Sequence, residues 1–426
     1  MNGYPTTSVG DLCNLGARAV WAAVRHPRSF DGGLVLHDWM KDMTVRYGSG
    51  NVFLNLLVMR LLLVTDRDLS RHILADYPSS TGYVAGTLKR RAMSSLAPQA
   101  LTIADDAPWR QLRPFNERVL CTGRPHEFQR TFLAHVRRAF AAQLSSIDDV
   151  RDRMGRAMLS IVFGDGVAPD HLADDIRVLF GLVQNPLARL LRGAAERPRV
   201  DRLYAGLRQA WQRSDAQAQV SLLAIARSAN AGEAEDTLLQ QIPHWMFTFS
   251  GSGADLLARG LTMIGSRPDV LARVRTELAA AGPLDQPASV DGLRFLEACL
   301  LESARLFPPV TRTFHRAMVD DGRVPAGAEI LQVFSLTQRD GAADPTANQF
   351  RPDRWLSSAN QAEAAYPNLF LSGARKCPGR DLILFVAKSA ASVTLAETGR
   401  IARSDVLARD PVPFSFPERR VQFTSS

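Results

Sequence analysis

The apolar residues of this chain change period along its length. Between 52 and 58 ("VFLNLLV") and between 61 and 65 ("LLLVT") they come as two short runs rich in β-formers, with Met59 and Arg60 near the turn, and predict a hairpin. "DRDLSRHILADY" then opens a helix with Asp66 or Asp68 as its cap. From about residue 105 to about 280 the spacing is helical. Trp109 and Arg113 lie four apart on one helix face, and "HEFQRTFLAHVRRAFAAQL" and "DDIRVLFGLVQ" are amphipathic. The stretch from Thr237 to Ser266 is apolar on most sides, which predicts a long, buried, central helix. A further helix starts near Pro268 and ends before Gly282. "VDGLRFLEACLLESARLF" is stopped by Pro308 and Pro309. Short strands and loops follow to about 370, and then the apolar helix "DLILFVAKSAASVTLAE". The pattern predicts a mainly α protein with a small β region.

Composition narrows the class without naming a reaction. The 426 residues are 46% hydrophobic, enough for a large core, and no repeat or low-complexity linker divides them. The net charge is +8, but the basic residues are nearly all Arg; Lys41, Lys89, Lys376 and Lys388 are the only lysines. No dense basic run with interleaved aromatics marks a nucleic-acid surface. Cys13, Cys121, Cys299 and Cys377 are far apart, which argues against a zinc site or a disulfide framework and for a reducing cytoplasm. The N-terminal stretch shows neither a signal peptide nor a membrane anchor.

The chemistry centres on "FLSGARKCPGR". Cys377 sits among basic and turn-forming residues rather than apolar ones. Gly373 and Gly379 permit close backbone approach, Pro378 stiffens the turn, and the helix that follows favours a thiolate at its N-terminus. Arg375 supplies a fixed cation for an anionic group. A thiolate in such a setting is the proximal ligand of one haem class.

Further motifs extend this reading. Phe370, Gly373, Arg375, Cys377 and Gly379 spell Phe-x-x-Gly-x-Arg-x-Cys-x-Gly; Glu302 and Arg305 spell Glu-x-x-Arg; Arg354 follows in "FRPDRW"; Trp109 and Arg113 spell Trp-x-x-x-Arg. In this order they resemble the cytochrome P450 family. The resemblance implies that family's fold in one domain over 1–426, with haem b as cofactor. Cys377 would be the axial ligand to iron, and Phe370 would pack near the sulfur. Trp109, Arg113 and Arg375 would hold haem propionates, with either His315 or Arg316 as a further contact. Glu302, Arg305 and Arg354 would form a structural triad behind the cysteine loop.

The long central helix departs from the family pattern, in which an acid–Thr pair relays protons to the distal oxygen. In "FTFSGSGADLLARG" two registers compete. By spelling, Asp255 is the acid and Leu256 replaces Thr. By distance, Ser252, sixteen residues before Pro268, replaces Thr and Gly251 replaces the acid. The distance register is preferred, because packing fixes the helix length beyond the site. Either way half of the relay is missing. After the double proline, Val310 is expected over the haem and Arg312 in the same pocket, where an Arg needs an anion such as a substrate carboxylate. Phe249 is a further substrate-contact candidate. "STGYVAGTLKRRAMSSLAPQALT" stands where the family has its variable substrate loop, and its Gly and Ser content suits a mobile lid.

The resemblance implies monooxygenation of a small organic biosynthetic intermediate, and the lack of an anchor with the Arg-rich, Lys-poor composition suits a cytoplasmic, bacterial-type enzyme. It would use O2 and electrons from a separate ferredoxin- or flavodoxin-type partner docked near Lys376, Arg380 and Arg110, with neither nucleic acid nor membrane as partner. The incomplete relay leaves peroxygenase, nitrene-transfer or rearrangement chemistry as the alternative, and a non-catalytic haem-binding recruitment protein as a second.

Overall fold

The computed structural model describes residues 3–25, 32–56, 59–169, 171–184, 195–214, 220–229, 234–357 and 365–425. Helices dominate, and among the described residues seven strands form two small sheets: β1 (Asn51–Asn55), β2 (Arg60–Val64), β3 (Tyr83–Ala85), β4 (Arg312–Ala317), β5 (Glu329–Val333), β6 (Arg400–Arg403) and β7 (Gln422–Ser425). The predicted hairpin is β1–β2, antiparallel, with Phe53 opposite Leu62. The larger sheet runs β1-β2-β5-β4-β3; β2 and β5 are parallel, and β6 pairs only with β7. Asp66 caps the helix Arg67–Ala75 by accepting the Leu69 amide at 2.7 Å.

The long central helix forms, but in pieces. A short helix, Glu235–Leu239, ends before Pro243, which has no N–H to continue it. The main body then runs as α-helix over Ile242–Phe247, as a π turn over Thr248–Gly253, and as α-helix again over Ala254–Gly265. It packs on the helices Ile147–Phe163, Arg294–Leu306 and Arg380–Ala396 and on β6. Its contact with Arg380–Ala396 is close enough that a Cβ on Gly253 would overlap the Ile383 side chain, so this crossing needs glycine. The surrounding apolar residues form one large buried cluster, and two smaller clusters lie on the faces of the larger sheet.

Behind the cysteine loop, Glu302 and Arg305 are both fully buried, one helical turn apart. Their pairing is bidentate, with both bonds at 2.8 Å. Glu302 also accepts from Arg354 Nε (2.9 Å), the Trp355 indole (2.9 Å) and the Arg351 amide (3.0 Å). Arg305 donates onward to the carbonyls of Gln338, Ala347 and Gln349. Burial by itself would raise the Glu302 pKa, but Arg305, Arg354 and the Arg351 amide outweigh it and hold the carboxyl below its usual range. Removing one partner leaves a buried charge uncompensated. Glu302→Ala is therefore expected to cost about 3–5 kcal/mol in urea unfolding. Because the folded pKa is depressed, the Glu302 contribution is complete above about pH 4.3 and is lost as pH falls through the folded value. An acid titration of wild type against Glu302→Gln would show this as a smaller loss of stability in the variant.

Candidate functional site

Cys377 is held by a loop that closes on itself. Its amide donates to the Phe370 carbonyl at 2.7 Å, and Gly373–Arg375 make a single 3-10 turn. Gly373 has φ +59°, and a Cβ there would lie 2.5 Å from the carbonyl oxygens of both Leu74 and Ala75. Both the backbone angle and the space exclude any other residue. The Thr122 hydroxyl donates to the Pro378 carbonyl and the Gly123 amide to the Asp381 carboxylate, each at 2.7 Å. These bonds pin the loop to the end of the helix Asp106–Leu120, which carries Trp109 and Arg113.

The Cys377 thiol is half-buried. Burial pushes its pKa up, against the pull of the Gly379 amide and the Arg113 charge. A bound cation would favour the thiolate.

Next to the loop lies a group of basic side chains without acidic partners. Arg375 donates to the Tyr83 carbonyl at 2.6 Å, while its Nε is buried without a partner. Burial lowers its pKa to about 10. Both ring nitrogens of His315 are buried without partners, and burial, then Arg375 and Lys89, push its pKa well down. Lys89, from the helix Thr87–Ser94, is brought to about 8 by burial and then by Arg375 and Arg90. His244, on the central helix, is brought to about 4 by burial and then by Lys89. Among the described residues no carboxylate forms an ion pair with Arg375, Lys89 or His315. Buried donors in this state call for an anion. The two carboxylates of a haem would meet that demand and Cys377 would offer its iron a sulfur ligand, so the residues present fit the expected cofactor.

The strand period decides between His315 and Arg316. On β4, Thr313, His315 and Ala317 point inward, while Arg316 points outward, exposed, with Glu329 at 3.8 Å. His315 joins the cluster and Arg316 does not. Trp109 stacks on Tyr77 (5.8 Å between rings), and the buried Arg113 lies 5.9 Å from the indole while donating to Glu117 at 2.7 Å. Phe370 is half-buried against the core, under the Arg380 guanidinium at 5.7 Å.

Several sequence expectations are corrected. Arg312 is exposed at the start of β4, and Val310 is 45% exposed. Phe249 is buried, and its ring lies 3.2 Å from where a Cβ on Gly379 would stand, so it is a packing residue. Asp255 is not free to relay protons: Arg151 holds one oxygen at 3.0 Å and Arg259 the other at 2.9 Å. Leu256 is in the core. The π turn instead contains Gly251 and Ser252, both half-buried. Thr248 and Ser250 spend their hydroxyls on carbonyls one turn back, whereas among the described residues Ser252 does not. The supposed lid is partly regular structure, comprising β3 and the helix Thr87–Ser94.

Sequence reasoning missed Lys89 and His244. Lys89 carried one signal, as a rare lysine where the chain otherwise uses Arg. His244 carried another, as a polar residue eight positions before Ser252 in an apolar helix.

Asp255→Asn is expected to be a stability variant, losing roughly 1–3 kcal/mol by weakening its pairing with Arg259. Ser252→Ala is expected to stay within about 0.5 kcal/mol of wild type. Thermal unfolding of the two variants side by side separates these outcomes.

Comparison with known proteins gives the same direction. Residues 215–394 match the model of the family described as Cytochrome P450. The Drosophila melanogaster protein named probable cytochrome P450 4d20 is 24% identical over 232 residues, covering 51% of this chain and 45% of that protein. The Emericella nidulans cytochrome P450 monooxygenase pkfB is 30% identical, covering 35% and 34%. The Arabidopsis thaliana cytochrome P450 94C1 is 30% identical, covering 38% and 36%. The matched stretch thus spans less than half the length of each of these relatives. All three are eukaryotic and lend nothing to the bacterial assignment drawn from composition.

Proposed function

Since this chain belongs to the cytochrome P450 family, we propose that it is a haem-thiolate monooxygenase acting on a small organic molecule. The observation that carries this reading is Cys377 on a pinned loop beside Arg375, Lys89 and His315, none of which forms an ion pair among the described residues. Haem bound there supplies the oxygen-activating redox chemistry of the family. Cys377 would give the axial sulfur. Arg375, His315, Lys89, Arg113 and Trp109 would hold the propionates, since guanidinium, ammonium and ring N–H groups all donate to carboxylates. Burial lowers the pKa values of Arg375, Lys89 and His315, so the charged form of each is more costly before the carboxylates arrive than after. Two similar relatives, the monooxygenases pkfB and sphH of fungi, support the reaction class by name.

On the distal side, Ser252 would offer the hydroxyl through which a proton reaches the reacting oxygen. Gly251 offers no carboxyl beside it, and Asp255 is committed to Arg151 and Arg259. Water held at the π turn would carry the second proton position, because a π turn leaves backbone carbonyls open to such partners. The same observation favours one second reading, in which peroxide or a pre-activated substrate replaces O2. Electrons would come from a separate acidic ferredoxin- or flavodoxin-type protein, drawn to the basic residues Arg110, Lys376 and Arg380.

The haem-loaded, reduced chain under CO is expected to show the long-wavelength band of thiolate-ligated haem, and Cys377→Ser to lose it. Absence of the band in wild type would sink the assignment. With NADPH, a reductase and O2, coupled turnover with little peroxide release would support monooxygenation. Product formed only with added peroxide would favour the second reading.

A further inference from the structure

The central helix has one open side. His244, Phe247, Thr248, Gly251 and Ser252 fall on it at helical spacing and all are half-buried, whereas Trp245, Met246 and Phe249 are buried. This side is polar at its two ends and apolar between them. Thr248 spends its hydroxyl on the His244 carbonyl at 2.9 Å, so its methyl group is what it offers here. The Phe247 ring lies parallel to that of Phe180 at 3.8 Å, and 3.7 Å from where a Cβ on Gly251 would stand. It forms a flat apolar wall between His244 and Ser252. The eight positions between those ends, at about 1.5 Å each, separate them by about 12 Å along the axis.

The His244 end lacks partners of its own. Its Nδ1 is buried without one, and among the described residues the ring makes no hydrogen bond. Beside it stands Lys89, which forms no ion pair among the described residues, although its neighbour Arg90 is paired with Asp105 at 2.8 Å. Lys89 is the one charge that acts on His244, whereas His315 feels Arg375 first and Lys89 second. Lys89 therefore lies between the cysteine-loop group and the central helix. Both Lys89 and His244 are half-buried, yet burial is the main cause that lowers each pKa. The open part of each thus looks into an enclosed space, not onto the outer surface. Three helices close that space: Thr87–Ser94 packs on Leu172–Gln184, which carries Phe180 and packs on Ile242–Phe247.

A haem would not use up this end. Its carboxylates would be met by Arg375 from the cysteine loop, His315 from β4, and Trp109 and Arg113 from the helix Asp106–Leu120. His244 belongs to none of these elements and shares a helix face with Ser252. Lys89 has three N–H donors and can serve a propionate and a second carboxylate together. An enclosed ammonium beside a neutral imidazole offers charge and an N–H donor at one place, which suits a carboxylate. We propose that this chamber takes an organic acid, a carboxylate on a flat apolar body, with the charged end held by Lys89 and His244 and the body laid along Phe247 towards Ser252. The proposal rests on the haem-thiolate reading above and names the substrate class for the same site.

The test is ligand binding to the haem-loaded chain, read by the haem spectral shift and independently by calorimetry. Phenylacetate, phenylbutyrate, phenylhexanoate and naphthoate are each compared with their own carboxamide, which keeps the shape and removes the charge. At least one acid is expected to bind about tenfold or more tightly than its carboxamide, the scale of a hydrogen bond to a charged group. His244→Leu is expected to reduce that ratio at least about threefold, and Lys89→Met to bring it to about one, with Lys89→Arg retaining it. If Lys89→Met fails to load haem, His244→Leu decides alone. Wild type that favours no acid over its carboxamide, or a ratio unchanged in His244→Leu, would overturn the proposal. A CO band in wild type without acid preference sinks this proposal alone, whereas a missing band removes the haem-thiolate reading and this proposal with it.

Discussion

The interaction on which the rest of the structure leans is the buried pairing of Glu302 with Arg305. Two opposite charges in a dry interior are costly, and only complete hydrogen bonding makes the arrangement tolerable. Here the completion comes from elsewhere in the chain: Arg354, Trp355 and the Arg351 amide on one side, and three carbonyls between Gln338 and Gln349 on the other. These donors and acceptors run from the last residue of the short helix Phe334–Gln338 through loops and turns to the first residues of the short helix Arg354–Ser357. The ion pair gives that stretch its conformation, and the stretch leads into the segment that ends at Cys377. Arg354 also ties Asp344 and Tyr366 to the network, which extends the constraint to within a few residues of Phe370.

A second group of charges has the opposite character. Around Glu302 every donor has its acceptor. In the other group, Arg375 Nε and both ring nitrogens of His315 are buried without a hydrogen-bond partner. The contrast separates a structural network from a receptive one by the same physical rule. Saturated buried charge holds a fold together, whereas unsaturated buried charge marks where something else belongs.

Much of this was legible in the sequence, and the limits have physical reasons. The cysteine loop could be read because each residue has a local duty: Gly373 its positive φ, Pro378 its turn, Cys377 its sulfur. The hairpin and the Asp66 cap were legible for similar reasons. Arg312 could not be placed, because strand alternation puts neighbours on opposite faces and an offset from Glu302 does not say which face turns inward. His315 and Arg316 were left undecided for the same reason. Asp255 misled because letters were compared where helix geometry matters. Its salt bridges come from Arg151 on another helix, 104 positions away, and from Arg259 one turn on. Lys89 and His244 were missed because their meaning arises only when two distant segments fold against one pocket.

The contact between the central helix and the helix that follows Cys377 has a mechanical consequence. Gly253 admits the side chain of Ile383, and the ring of Phe249 rests on Gly379, two residues beyond the sulfur. The backbone beyond Cys377 and the π turn that carries Ser252 are therefore parts of one wedge. The spacing between them is set by the volumes of an isoleucine and a phenylalanine rather than by hydrogen bonds that can lengthen. Packed interiors resist a change of even one methylene. Two apolar side chains thus act as a gauge block for the distance between the cysteine loop and the π turn.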